Sequence, residues 1–205
     1  VDASPNWWGS MYGPTSGQVV GDADYVPWCG DPGCTFFLPD ENGVIELSGT
    51  INVSGGIEIN APGLTYFIKQ DTVINNGSPC FIVNADNVTI EGEYPGEEYC
   101  IPTGDSAGVE VAADVSNLVI KNLDFDGSST TGSAIDFAGD VDGVQIVNNY
   151  FHDFIPSAIV FGGEVLTEHV IQGNMFMDVG TPEIVSDTTT TLDASFNSWG
   201  ENAAP

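Results

Sequence analysis

The chain has no arginine and only two cations, Lys69 and Lys121, against 30 Asp and Glu, so its formal net charge is −28 over 205 residues. A surface this acidic cannot neutralise phosphates, which excludes nucleic-acid binding. It also disfavours an anionic membrane surface. No apolar run reaches the length of a membrane-spanning helix, so membrane insertion is not expected. No stretch has convincing helical spacing. No signal peptide is visible, and Val1-Asp2-Ala3-Ser4 reads as a processed start. The chain has only two histidines, His152 and His169, which stand apart from one another. Isolated in this way, each reads as a strand-edge or corner residue rather than an acid–base group.

What is present is β-sheet chemistry. Apolar residues alternate with period 2 in short pieces, such as Ile57-x-Ile59, Val109-x-Val111, Ile135-x-Phe137 and Ile159-x-Phe161. Gly, Asn, Asp and Ser bound each piece, as turn residues bound strands. The pieces repeat. Leu118–Phe125 aligns with Val144–Phe151 at an offset of 26, and Ile171 follows Ile146 at 25. Val111, Phe137 and Phe161 are spaced by 26 and 24. An upstream copy, Val88-Thr89-Ile90, lies 30 residues before Ile120, with Cys100 in the insertion. A unit near 25 residues with two or three strands and no helix is too short for a propeller blade and lacks the fixed leucines of a leucine-rich repeat. It suits one coil of a solenoid whose inward residues stack into a continuous core. The reading is therefore all-β: a right-handed parallel β-helix of about six to seven coils, on the order of 30 Å long at ~4.8 Å per coil. Residues 1–41 form an N-terminal aromatic segment, 42–200 the β-helix and 201–205 a tail. Asn122, Asn148 or Asn149, Asn174 and Asn197 recur near one corner, where asparagine tolerates left-handed backbone and stacked amides can bond between coils.

These coils, of the kind Asn87-Val88-Thr89-Ile90 or Gly143-Val144-Gln145-Ile146 and ending in Asp193-Ala194-x-x-Asn197-x-Trp199-Gly200, resemble right-handed parallel β-helix repeat proteins of the pectin-lyase-like superfold. The likeness covers residues 43–200 and points to secreted or surface-anchored types. Lyases of that superfold would be expected to use an Arg or Lys base beside acidic calcium ligands. Its glycoside hydrolases would carry clustered Asp, a Gly-His-Gly turn and an Arg-x-Lys. Neither set is visible, so no catalytic residue is assigned.

Four cysteines, Cys29, Cys34, Cys80 and Cys100, allow three pairings. Cys29 and Cys34 flank the turn Gly30-Asp31-Pro32-Gly33, which favours a local bridge and leaves Cys80 to Cys100. Disulfides, acidity and glycosylation acceptors at Asn52, Asn76 and Asn87 favour an extracellular or cell-surface location. Asp124-Phe125-Asp126-Gly127 and Asp140-Val141-Asp142-Gly143 both read Asp-x-Asp-Gly. Oxygen ligands at alternating positions suit Ca²⁺, while Asp-Gly alone is turn chemistry.

The two ends of the chain match. Val1-Asp2-Ala3-Ser4-Pro5-Asn6-Trp7-Trp8-Gly9 and Leu192-Asp193-Ala194-Ser195-Phe196-Asn197-Ser198-Trp199-Gly200 share 6 of 9 positions at an offset of 191. A closing motif that also opens the chain is either a cap or the continuation of another subunit's solenoid. Trp7, Trp8, Tyr12, Tyr25 and Trp28, with Trp199 at the far end, are the expected assembly residues. The expected function is a structural extracellular subunit that assembles with copies of itself head to tail. The alternative is a calcium-dependent adhesin or glycan-binding module, with a polysaccharide lyase or hydrolase behind both.

Overall fold

The computed structural model describes residues 39–200 apart from 41, 52–54, 71, 76–78, 94–97, 164–168 and 187–191. Trp7, Trp8, Tyr12, Tyr25, Trp28, Cys29, Cys34, Asn52 and Asn76 lie outside the described residues. Among those described, every regular element is a strand. The first coil holds β1 (Val44–Leu47), β2 (Thr50–Ile51) and β3 (Ile57–Ile59). The next two hold β4 (Thr65–Ile68), β5 (Val73–Asn75), β6 (Phe81–Val83), β7 (Thr89–Gly92), β8 (Glu98–Ile101) and β9 (Val109–Val111). Then follow β10 (Val115–Ser116), β11 (Val119–Lys121), β12 (Asp124–Asp126), β13 (Ile135–Phe137), β14 (Val141–Asp142), β15 (Gln145–Val147), β16 (Tyr150–His152) and β17 (Ile159–Phe161). The C-terminal end holds β18 (His169–Gln172), β19 (Met175–Met177), β20 (Ile184–Ser186), β21 (Leu192–Asp193) and β22 (Ser198–Trp199).

These strands stack into three long parallel sheets. The first runs β1-β4-β7-β11-β15-β18-β21, the second β2-β5-β8-β12-β16-β19-β22, and the third β20-β17-β13-β9-β6-β3. Strands β10 and β14 add a short fourth ladder. The chain is a parallel β-helix, and parallel crossovers of this kind wind right-handedly.

Period-2 alternation sends one residue type inward and keeps it there through the stack. Ile45, Tyr66, Ile90, Ile120, Ile146 and Ile171 sit in register down the first sheet. Ile51, Ile74, Cys100, Phe125, Phe151, Phe176 and Trp199 do so down the second. The rings in the second row stack at centroid distances of 5.2, 5.1 and 4.8 Å from Phe125 to Trp199. The core is thus one apolar column with stacked aromatics down the second sheet and a further stacked pair, Phe137 and Phe161 at 4.5 Å, on the third. Cys80 and Cys100, both buried, form a disulfide across 6.0 Å of Cα separation that joins the second coil to the third.

The recurring asparagines divide into two structural roles. Asn122 and Asn148 occupy left-handed backbone at φ 59° and 56°, where they turn the coil between the first and second sheets. Asn149, Asn174 and Asn197 instead point inward as an amide ladder. The Asn149 Nδ2 donates to Ile120 O (3.0 Å) and Asn174 Oδ1 (3.1 Å), and its Oδ1 accepts from Leu123 N (3.0 Å). The Asn174 Nδ2 donates likewise to Ile146 O (2.8 Å) and Asn197 Oδ1 (3.0 Å). Asn87, the one expected glycosylation acceptor among the described residues, is an exposed corner at φ 56° whose Oδ1 accepts from Asn117 Nδ2.

Candidate functional site

Two places gather chemistry beyond folding: an outer patch on the second sheet and the C-terminal end of the column. In the patch, Phe125 points into the core, so alternation turns Asp124 and Asp126 outward. One coil on, β16 sets Tyr150 beside Asp124 and His152 beside Asp126, and β19 adds Met175 and Met177. The imidazole of His152 lies among three carboxylates. Its Nε2 is 3.0 Å from Asp124 Oδ1, and its Nδ1 is 2.7 Å from Asp153 Oδ2 and 3.9 Å from Asp126 Oδ1. The Tyr150 ring stacks on it at 4.9 Å, and the tyrosine hydroxyl donates to Met177 Sδ (3.3 Å).

The surrounding backbone holds this geometry in place. Asp124 is 3% exposed. The Asp126 Oδ1 accepts from Ser128 N (2.8 Å), and Gly127 N donates to His152 O (2.8 Å). A Cβ on Gly127 would lie 2.7 Å from Phe154 Cγ and 2.8 Å from Asp153 O, so only glycine lets the two turns approach this closely. Burial works to lower the His152 pKa. The hydrogen bond to Asp153 and the charges of Asp124, Asp126 and Asp153 outweigh it, and the net direction is upward. Burial raises Tyr150, and Asp124, Asp153 and Asp178 add to that rise.

His152 is therefore not isolated, contrary to the reading of the sequence alone. The 26-residue offset that aligns Leu118–Phe125 with Val144–Phe151, extended by one position, sets Asp126 opposite His152. Among the described residues, Asp126, His152 and Asp153 place ligand atoms within 4.8 Å of one another. Asp140 and Asp142 do not join such a group of three there. Asp140 is exposed and Asp142 lies on β14.

Both lysines settle against glutamates. Lys69 Nζ is 3.4 Å from Glu46 and 5.2 Å from the Phe67 centroid, while Lys121 Nζ is 3.0 Å from Glu91. On the third sheet Glu110 sits in register with Asp136. Burial, then the Asp136 charge, raises the Glu110 pKa, and burial raises that of Asp136.

At the C-terminal end the motif Leu192–Gly200 forms the last described coil. Asn197 ends the amide ladder, its Nδ2 donating to Ile171 O (2.6 Å) and Ala194 O (2.7 Å). Trp199 is the last ring of the stack among the described residues, half-buried over Phe176 at an interplanar angle of 8°. In the two preceding coils the ladder asparagine's own N–H donates to the next Asn Oδ1, at 2.9 Å in both cases. The Asn197 N–H meets no such oxygen among the described residues. Beside it lies a hollow of about 790 Å³ lined by Thr181, Glu183, Ile184, Leu192, Phe196 and Trp199, with others. Glu183 is 5% exposed and its Oε1 has no partner among the described residues. Phe196 stands 87% exposed.

A scan of protein-family models, a search of curated proteins and a search of solved structures each return no match.

Proposed function

We propose that the chain is a structural, extracellular solenoid subunit that stacks end to end, its C-terminal coil receiving the N-terminal motif of a second copy. The observation that carries this reading is the pair of ladders whose last described rungs are Asn197 and Trp199, together with their counterparts in residues 1–9. When the two motifs are aligned, Asn6 takes the place of Asn197 and Trp8 that of Trp199. An incoming Asn6 amide would supply the oxygen that Asn174 and Asn197 supply to the coils before them. An incoming Trp8 would add the next ring. Among the described residues β21 and β22 are edge strands, and their outer edges would offer backbone to Val1-Asp2 and Trp7-Trp8, which is how a solenoid end recruits another strand. A head-to-tail contact of this type does not close on itself and gives a filament. The resemblance to the pectin-lyase-like superfold supports a secreted or surface setting. The engagement of both lysines with glutamates supports a non-enzymatic role within that superfold.

Negative-stain microscopy and light scattering of the natural chain test the reading. Filaments with an axial repeat near one subunit length are expected, and deletion of residues 1–28 or the double change Asn6→Ala, Trp8→Ala should disperse them. Polymers that survive the deletion, or single rods from the natural chain, refute it.

A further inference from the structure

The outer patch on β12 and β16 offers a metal site of a different chemistry from the calcium loops expected there. We propose that Asp126, His152 and Asp153 bind a divalent transition-metal cation of the zinc class, with Asp124 holding the imidazole from behind. The site is independent of end-to-end stacking.

Ligand type comes first. Ca²⁺ collects six to eight oxygens, whereas imidazole with one or two carboxylates suits zinc and its neighbours. His152 contributes the nitrogen, and Asp126 and Asp153 contribute one oxygen each, all within 4.8 Å of one another. Donors around tetrahedral zinc stand about 3.3–3.5 Å apart at bonds of ~2.0–2.2 Å. The pairs Nδ1–Asp153 (2.7 Å) and Nδ1–Asp126 (3.9 Å) bracket that spacing. With the carboxylate pair Asp126–Asp153 also within 4.8 Å, closing the set needs side-chain movement of up to about 1.4 Å, and the Asp153 side chain is half exposed.

The second observation is the carboxylate behind the ring. A histidine that ligates a metal through one nitrogen donates its other N–H to a carboxylate or carbonyl, which sets the tautomer and the ring plane. Asp124 stands in that position, 3% exposed and 3.0 Å from Nε2. This directs Nδ1 toward Asp126 and Asp153. The Ser128 N–H bond fixes Asp126, and the close approach at Gly127 fixes the distance between the two turns. Three protein ligands leave a fourth position open to water or to a donor from outside the chain.

The test uses the full chain without a histidine tag, labelled with ¹⁵N-histidine and titrated with Zn²⁺ in excess Ca²⁺ and Mg²⁺. The competing ions occupy the general acidic surface. One saturable Zn²⁺ per chain is expected. The Nδ1 resonance of His152 should move while Nε2 keeps its proton, and His169 should not respond. The change His152→Gln should abolish the saturable step, as should Asp126→Asn, which keeps the test valid if the first variant fails to fold. Asp124→Asn should keep the stoichiometry and weaken affinity about 10–100-fold. Equal Zn²⁺ uptake by the natural chain and His152→Gln overturns the proposal. So does an unmoved His152 resonance, or displacement of Zn²⁺ by the Ca²⁺ background.

Discussion

Asn148 and Asn149 are adjacent, identical in chemistry and opposite in role, so substituting each in turn tests the amide ladder directly. Asn149 is 2% exposed and its side chain makes three hydrogen bonds. Replacing it with alanine leaves the buried Leu123 N–H without its acceptor, which costs about 1–3 kcal/mol. Losing the two bonds from Nδ2 costs about 1 kcal/mol each. Together these give a loss of about 4 kcal/mol. At 1.4 kcal/mol per factor of ten, local opening becomes about a thousand-fold more frequent. Asn148 is exposed and serves the corner at φ 56°, a conformation glycine adopts freely. Asn148→Gly should therefore shift stability by less than about 1 kcal/mol. Native-state hydrogen exchange is the suitable assay, because a solenoid need not unfold in one step. In Asn149→Ala, amides of β11, β12 and the coils C-terminal to them should lose about three decades of protection, while β1 to β4 keep theirs. Equal effects from the two substitutions, or a loss under ten-fold for Asn149→Ala, would refute the ladder as a source of stability.

Three further outcomes follow from the geometry. Reducing Cys80–Cys100, which are 20 residues apart, should cost about 3 kcal/mol by loop-closure entropy, read as a lower urea midpoint in dithiothreitol. Glu110 and Asp136 are raised above their ordinary 4.5 and 3.8, so the folded chain holds their protons more tightly than the unfolded one. Stability should therefore fall as pH rises from those ordinary values through the raised ones and level off beyond; Asp136→Asn should flatten that fall in a denaturation series, and an unchanged slope rejects the assignment. Gly127→Ala should push the two turns of the outer patch apart and lower the melting temperature, whereas Gly49→Ala, whose Cβ would meet nothing within 4 Å, carries only the strain of its φ of 72°.

The coil architecture is legible in the sequence because both of its periods are written in apolar residues. Alternation marks which side chain enters the core, and the offset of 24–26 marks which partner it meets in the next coil. The asparagines are less legible. A corner and a ladder rung both select Asn, and at Asn148-Asn149 only the direction of the side chain separates them. His152 is a different case. Its partners lie in the neighbouring coil and in its own corner, so a search along the chain finds a lone histidine while a search across the repeat finds Asp126. The hollow beside Trp199 has no sequence signal, because it lies where the last described strand of the third sheet, β20, stops one coil before β21 and β22. The duplicated end motif, by contrast, is plain in the sequence, and the structure of its C-terminal copy supplies the chemistry that the letters alone do not specify.

The bond between Cys80 and Cys100 also acts as a mechanical stop. The contacts between coils are parallel to the long axis of the column, so tension applied at the C-terminal end peels coils one after another rather than shearing them together. Each coil of about 26 residues yields roughly 90 Å of slack as it straightens. Because the bridge ties the second coil to the third, residues 81–99 are withheld from that extension. A force trace under oxidising conditions should show the C-terminal coils released in steps and then a shortfall of roughly 65 Å in the total, which reductant restores.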